Sequence, residues 1–188
     1  MEMTLRWYGP GFDSVTLEQI RQIPGVKGVI TTLYDLPAGE EWTGERIKGL
    51  KEIVEKAGLK ISGIESVNIH DAIKIGSADR DKYIENYIKS LAALGEEDIH
   101  MVCYNFMPVF DWTRSELARP CPDGSTVLAY NSNAIDAVKP EEMFANLEQS
   151  SNGFVLPGWE PERMAHVKEL FEMYRDVTPE KLFDNLVY

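Results

Sequence analysis

Four short runs rich in β-forming residues recur through the first part of the chain, and a longer stretch of helical periodicity separates each from the next. The runs are MTLRWYG, KGVITTL, KISGIES and IHMVCYN. Alternation at this interval is what βαβ units around a parallel sheet produce. Strands near residues 3–8, 27–33, 60–66 and 99–104 are therefore predicted to be parallel and adjacent in chain order, with right-handed crossovers that place the helices on one outer side.

The crossovers carry clear helix signals. TGERIKGLKEIVEKAG sets Ile47, Leu50, Ile53, Val54 and Ala57 at helical spacing, with Thr43 at the start and Gly58 just past the end. SADRDKYIENYIKSLAALG repeats the pattern through Tyr83, Ile84, Tyr87, Ile88 and Leu91, opened by Ser77 or Asp79 and stopped at Gly95. A shorter helix, TLEQIRQIPG, ends at Pro24 and Gly25. After Arg114 the pattern changes to an irregular excursion over about 115–140, rich in turn formers, with a small hairpin expected around Asp123 and Gly124. Helical patterns return at KPEEMFANLEQ, EPERMAHVKELFEMYRD and TPEKLFDNLVY. The alternation suits the first half of a (β/α)8 barrel or an open doubly wound sheet. A barrel usually needs about 250 residues, so at 188 residues the barrel reading makes this a partial domain.

Composition limits the function. At 188 residues, 44% hydrophobic and 27% charged, the chain reads as one domain, 1–188, able to bury a core. A net charge of −12 argues against nucleic acid or an anionic membrane as partner, because both require a basic surface. No apolar run is long enough to span a bilayer, and MEMTLRWYGP lacks the blocks of a signal peptide, so the expected compartment is the cytoplasm. Cys103 and Cys121 then read as free thiols, and neither forms a metal motif by spacing. GxGxxG and Walker patterns are absent, which argues against nucleotides.

In either α/β architecture, ligands sit beyond the carboxyl ends of the strands. Those ends concentrate Trp7, Tyr8, Tyr34, Glu65, His70, Asn105, Asp111, Trp112 and Arg114. A polyhydroxy acid would use such a set, with Arg as a fork for the carboxylate, Asn and Asp for hydroxyls, and Trp against the carbon skeleton. Each also has a plainer reading. His70 can be a satisfied loop histidine, Trp112 a plug at the strand end, Arg114 the partner of a surface acid, and Glu40 with Glu41 a solvated turn.

The segments RWYGP, TTLYDLPAGEEW, GLKISGIESVNIHDAIKIG, VCYNFMPVFDWTR and LPGWEPE together closely resemble the D-mannonate dehydratases of the bacterial hexuronate pathway, from Leu5 to Tyr188. The resemblance implies a (β/α)8 barrel like that of xylose isomerase, of which this chain covers about the first half. It also implies dehydration of D-mannonate to 2-dehydro-3-deoxy-D-gluconate with Mn2+ or Fe2+. His70 matches the family histidine after strand three, and Asn105, Trp112 and Arg114 match its strand-four motif. With Trp7 from the end of strand one, these are the expected substrate-binding residues. The family's usual VHE is here IHD, so Asp71 stands where glutamate is common. Family chains continue past Tyr188, and the metal-ligating Cys, His and Asp and the acid/base residues are expected there, leaving no metal ligand and no identified catalytic residue in this chain. Unpaired strand edges in a half barrel predict association, and a homo-oligomer is expected. Another sugar or sugar-acid isomerase of the same barrel type, or a catalytically silent structural fragment, are the alternative readings.

Overall fold

The computed structural model describes residues 2–109, 114–133 and 166–188. Its contacts divide the chain into two compact units, Met1–Val109 with Glu169–Tyr188, and Phe110–Lys168. In the first unit, β1 (Met3–Arg6), β2 (Val26–Thr31), β3 (Lys60–Glu65) and β4 (Val102–Cys103) form one sheet in the order β1-β2-β3-β4, and every neighbouring pair is parallel. Both the adjacency and the direction read from the alternation are observed.

Register decides which face each side chain takes. Partners in a parallel pair share a side, and successive residues alternate. Leu5 pairs with Val29, and Thr31 pairs with Ile64, which in turn pairs with Val102. On this face Val29, Thr31 and Ile64 are completely buried. The hydrophobic cluster that covers it includes Leu17 and Ile20 of α1 (Leu17–Arg21), Ile47, Leu50 and Val54 of α2 (Gly44–Lys56), and Leu94 of α4 (Arg80–Glu96). The opposite face follows Arg6, Ile30 and Gly63 across the sheet, then Glu65 and Cys103. Helices form the outer ring of a (β/α)8 barrel, so this second face is the inward one.

Local chemistry explains the element ends. Thr16 and Gln19 form a reciprocal capping box, Gln19 N–H donating to Thr16 Oγ1 at 3.3 Å and Thr16 N–H to Gln19 Oε1 at 2.8 Å. Thr43 takes the N-cap position of α2, though without a side-chain bond. Helix α4 begins after Asp79 and runs one residue past Gly95. Strand β4 is only two residues long, shorter than the IHMVCYN run suggested. Its ladder is limited to Ile64↔Val102 and Glu65↔Cys103 on one side, and among the described residues it has no second neighbour.

A short helix, α3 (Asp71–Ile75), starts within ESVNIHD at the carboxyl end of β3. Tertiary contacts hold it. Helices α5 (Val167–Tyr174) and α6 (Pro179–Val187) supply them, as the Tyr174 hydroxyl donates to buried Asp71 Oδ1 at 2.6 Å and Asn185 Nδ2 to the Lys74 carbonyl at 2.9 Å. The carboxylate of Asp71 thus serves to dock α3.

In the second unit, the expected hairpin is present as antiparallel β5 (Glu116–Pro120) and β6 (Thr126–Ala129). Gly124 takes the left-handed turn position at φ 84, and Asp123 Oδ1 accepts the Ser125 N–H at 3.0 Å. The helical pattern at KPEEMFANLEQ lies outside the described residues. Cys103 and Cys121 are free thiols. Among the described residues no helix is long and apolar enough to cross a membrane.

Sheet packing yields a direct test. A Cβ added at Gly28 would lie 2.7 Å from the Lys60 carbonyl oxygen on the neighbouring strand, whereas one at Gly49 on α2 meets nothing within 4 Å. Gly28→Ala should destabilise the protein by about 1–3 kcal/mol, and Gly49→Ala should stabilise it by about 0.5–1 kcal/mol. Urea unfolding midpoints measure both, and an unchanged midpoint for Gly28→Ala would mean that β2 and β3 are not this closely apposed.

Candidate functional site

The inward face gathers its polar groups at the carboxyl ends of β1, β2 and β3. Arg6 ends β1 beside the β2 and β3 ends, and its guanidinium reaches two elements at once. Nη1 lies 2.9 Å from Glu65 Oε2, at the end of β3, and Nη2 donates to the Tyr34 hydroxyl at 2.7 Å, in the loop after β2. The rings of Tyr8 and Tyr34 flank it, with centroids 5.1 and 5.9 Å from the guanidinium carbon. Arg6 Nε is buried and has no hydrogen-bond partner among the described residues.

Tyr34 also packs against Tyr8 at 6.0 Å and Phe12 at 5.3 Å between ring centroids. This burial removes water from the phenol and pushes its pKa up to about 12, although the positive charge of Arg6 and its hydrogen bond pull the other way. Burial raises Tyr8 as well, again partly offset by Arg6. Both phenols are therefore neutral near pH 7. Asp13 ties down the loop after β1 by accepting the Tyr8 N–H at 2.9 Å and the Val15 N–H at 2.9 Å.

Beyond β3 the chain forms a second layer of the site. His70 is the N-cap of α3, its Nδ1 accepting the Ala72 N–H at 3.1 Å, so the neutral ring carries its proton on Nε2. The imidazole stacks on Tyr83 of α4, 3.7 Å between centroids and 7° from parallel. Gly39, at φ 88, lets the β2–α2 loop lie against this pair, and Asn86 Nδ2 donates to its carbonyl at 2.9 Å. Asn105 Nδ2 donates to Ser66 Oγ at 3.0 Å, which donates to Asn68 Oδ1 at 2.9 Å, while Thr32 Oγ1 donates to the Ser66 carbonyl at 2.6 Å. The ends of β2, β3 and β4 are thereby held to one another.

Of the residues singled out in the sequence, Tyr8, Tyr34 and Glu65 converge on Arg6, and His70 and Asn105 are anchored in the layer just described. Trp7 is 4% exposed and belongs to the hydrophobic core. Arg114 is half-buried, in the second unit just ahead of β5. Asp111 and Trp112 lie outside the described residues. Arg6 and Tyr83 were not anticipated. A signal existed for Arg6, a lone charge inside the apolar run MTLRWYG. For Tyr83 there was none, since at helical spacing it reads as an ordinary core position. Among the described residues no three His, Cys, Asp or Glu side chains come together to hold a metal ion.

Comparison with known proteins places this geometry in context. The family model for D-mannonate dehydratase (UxuA) matches residues 1–188. The mannonate dehydratase of Brachyspira hyodysenteriae is 66% identical over 188 residues, which is 100% of this chain and 53% of that protein. That of Thermotoga maritima is 54% identical over the same length and 52% covered. The crystal structure of mannonate dehydratase from Streptococcus suis serotype2 superposes with a TM-score of 0.80 and 44% identity, over 99% of this chain and 47% of that one. The chain spans about half the length of the curated relatives it matches.

The elevated Tyr34 pKa predicts an alkaline stability loss. Unfolded tyrosine ionises near 10.0, whereas the folded protein holds this proton to about 12, so the contribution is complete below the lower value and disappears as pH rises through the higher. Tyr8 and Tyr87 shift in the same direction. Tyr34→Phe should therefore reduce, without abolishing, the drop in urea midpoint between about pH 9 and about pH 11. Ultraviolet titration should lose one late-ionising tyrosine, and an unaltered curve would place Tyr34 in contact with water.

Proposed function

The chain belongs to the D-mannonate dehydratase family, and from that premise we propose that the full-length protein removes water from D-mannonate to give 2-dehydro-3-deoxy-D-gluconate in glucuronate catabolism. The identity of 66% across every residue of this chain carries the reading. A polar inward face at the strand ends supports it, because that is where barrel enzymes bind substrate.

The chemistry sets what the full-length protein must supply. The C2 proton of mannonate lies beside a carboxylate and is very weakly acidic, so its removal requires a base and stabilisation of the charge that develops. The C3 hydroxyl then leaves with a proton from a general acid. Among the described residues no cluster of side chains is arranged to hold a metal ion. For the full-length protein the proposed cofactor is Mn2+ or Fe2+, held by ligands outside this chain, together with the acid and base. The part assigned to this chain is recognition of a small sugar acid through His70, Asn105, Trp112 and Arg114, whereas Trp7, expected to join them, is packed in the core instead. The proposed setting is the cytoplasm, with the protein as a homo-oligomer that binds neither nucleic acid nor membrane.

Two measurements test this division of labour. The 188-residue chain, mixed with Mn2+ and D-mannonate, should form no product above a buffer control and retain no stoichiometric metal after dialysis, whereas the full-length protein should form product and retain metal. In the full-length protein, Arg114→Lys should lower kcat/KM about 10- to 150-fold, since lysine keeps the charge but not the planar fork. Unchanged kcat/KM with a lowered Tm would make Arg114 structural.

A further inference from the structure

We infer that Glu65 and Tyr34, positioned by Arg6, form a subsite for the uncharged hydroxyl-bearing end of the sugar acid, and that the substrate carboxylate is bound elsewhere. The inference rests on the proposed function and specifies which part of the substrate meets the β1–β3 ends. Its first support is charge. Arg6 is the residue a carboxylate would seek, but its charge is already matched by Glu65 at 2.9 Å. Asp13, which accepts the Tyr8 N–H, adds negative charge to the same loop. A second carboxylate entering here would meet a site with no net positive charge and would lose its hydration without compensation.

The second support is the set of bonding positions left open. Arg6 engages only Oε2 of Glu65, and among the described residues Oε1 accepts no bond. The Tyr34 hydroxyl accepts from Arg6, which leaves its own O–H to donate. An acceptor and a donor within one cluster complement hydroxyl groups, each of which both donates and accepts. They do not complement a carboxylate, which only accepts and would face Glu65 directly. The flanking rings of Tyr8 and Tyr34 offer flat apolar faces of the kind that lie against the C–H faces of a carbon chain. Arg6 acts as a positioning residue, because one guanidinium spans groups 59 and 28 residues away in the chain.

The test compares two ligands of the full-length protein. One is D-mannonate, and the other is a shortened aldonate with the same configuration at C2 and C3 but lacking the far hydroxyls, assayed as a competitive inhibitor. Glu65→Gln should lower kcat/KM for D-mannonate about 10-fold or more, and Tyr34→Phe about 3- to 10-fold. Neither should change the inhibition constant of the short acid by more than about twofold, because the short acid does not reach the subsite. Arg6→Lys should show the same selectivity, as an ammonium group cannot hold both partners. Proportional losses on both ligands would place these residues at the reacting end or in folding alone and overturn the inference. So would undiminished activity on D-mannonate. A wild-type protein inactive on D-mannonate would overturn the proposed function and this subsite with it, whereas an active wild type with unselective variants would overturn the subsite only.

Discussion

Parallel strands cannot be joined by tight turns, so every connection in the first unit must leave one strand end and return to the opposite end of the next. Helices make those crossovers, and they bury the centre of one face of the sheet completely, as Val29, Thr31 and Ile64 show. This constraint frees the other face. It can carry Arg6 and Glu65, charged residues that a two-sided core would not tolerate, because in a barrel it lines the interior mouth rather than the packing layer. The same geometry brings all strand carboxyl ends to one side, where loops distant in sequence become neighbours.

On that side, organisation comes from a few bifunctional groups. Arg6 joins β1 to the ends of β2 and β3, and burial around it keeps Tyr34 neutral so that the phenol serves as a hydrogen-bonding group. Ser66 joins three strand ends, through its carbonyl to Thr32 and through its hydroxyl to Asn105 and Asn68. His70 performs a structural task, capping α3 and stacking on Tyr83, while remaining at the mouth of the sheet where the family resemblance expects a substrate contact. Anchored side chains of this kind suit recognition, since their rotamers are already chosen before a ligand arrives.

Asp71 shows how a single acid at a strand-end helix can tie distant segments together. Its buried carboxylate accepts the Tyr174 hydroxyl and so takes part in docking α3 against α5. This contact links parts of the chain 103 residues apart. It also explains why α3 exists at all, since five residues of DAIKI have too few internal hydrogen bonds to persist alone.

Strand order, strand direction, the crossover helices and the β5–β6 hairpin were all legible in the sequence, because each depends on a local signal: apolar period, a capping residue or a turn-forming pair. Tyr8, Tyr34 and Glu65 were visible as strand-end residues, and the family segments were specific enough to name a reaction. The convergence of three of these on Arg6, the capping role of His70, the core position of Trp7 and the brevity of β4 were decided only by tertiary structure. Periodicity reports how one segment distributes its own side chains, whereas these features depend on register between segments and on which groups meet across the sheet, and a one-residue shift in pairing would have sent Arg6 to the helical face instead.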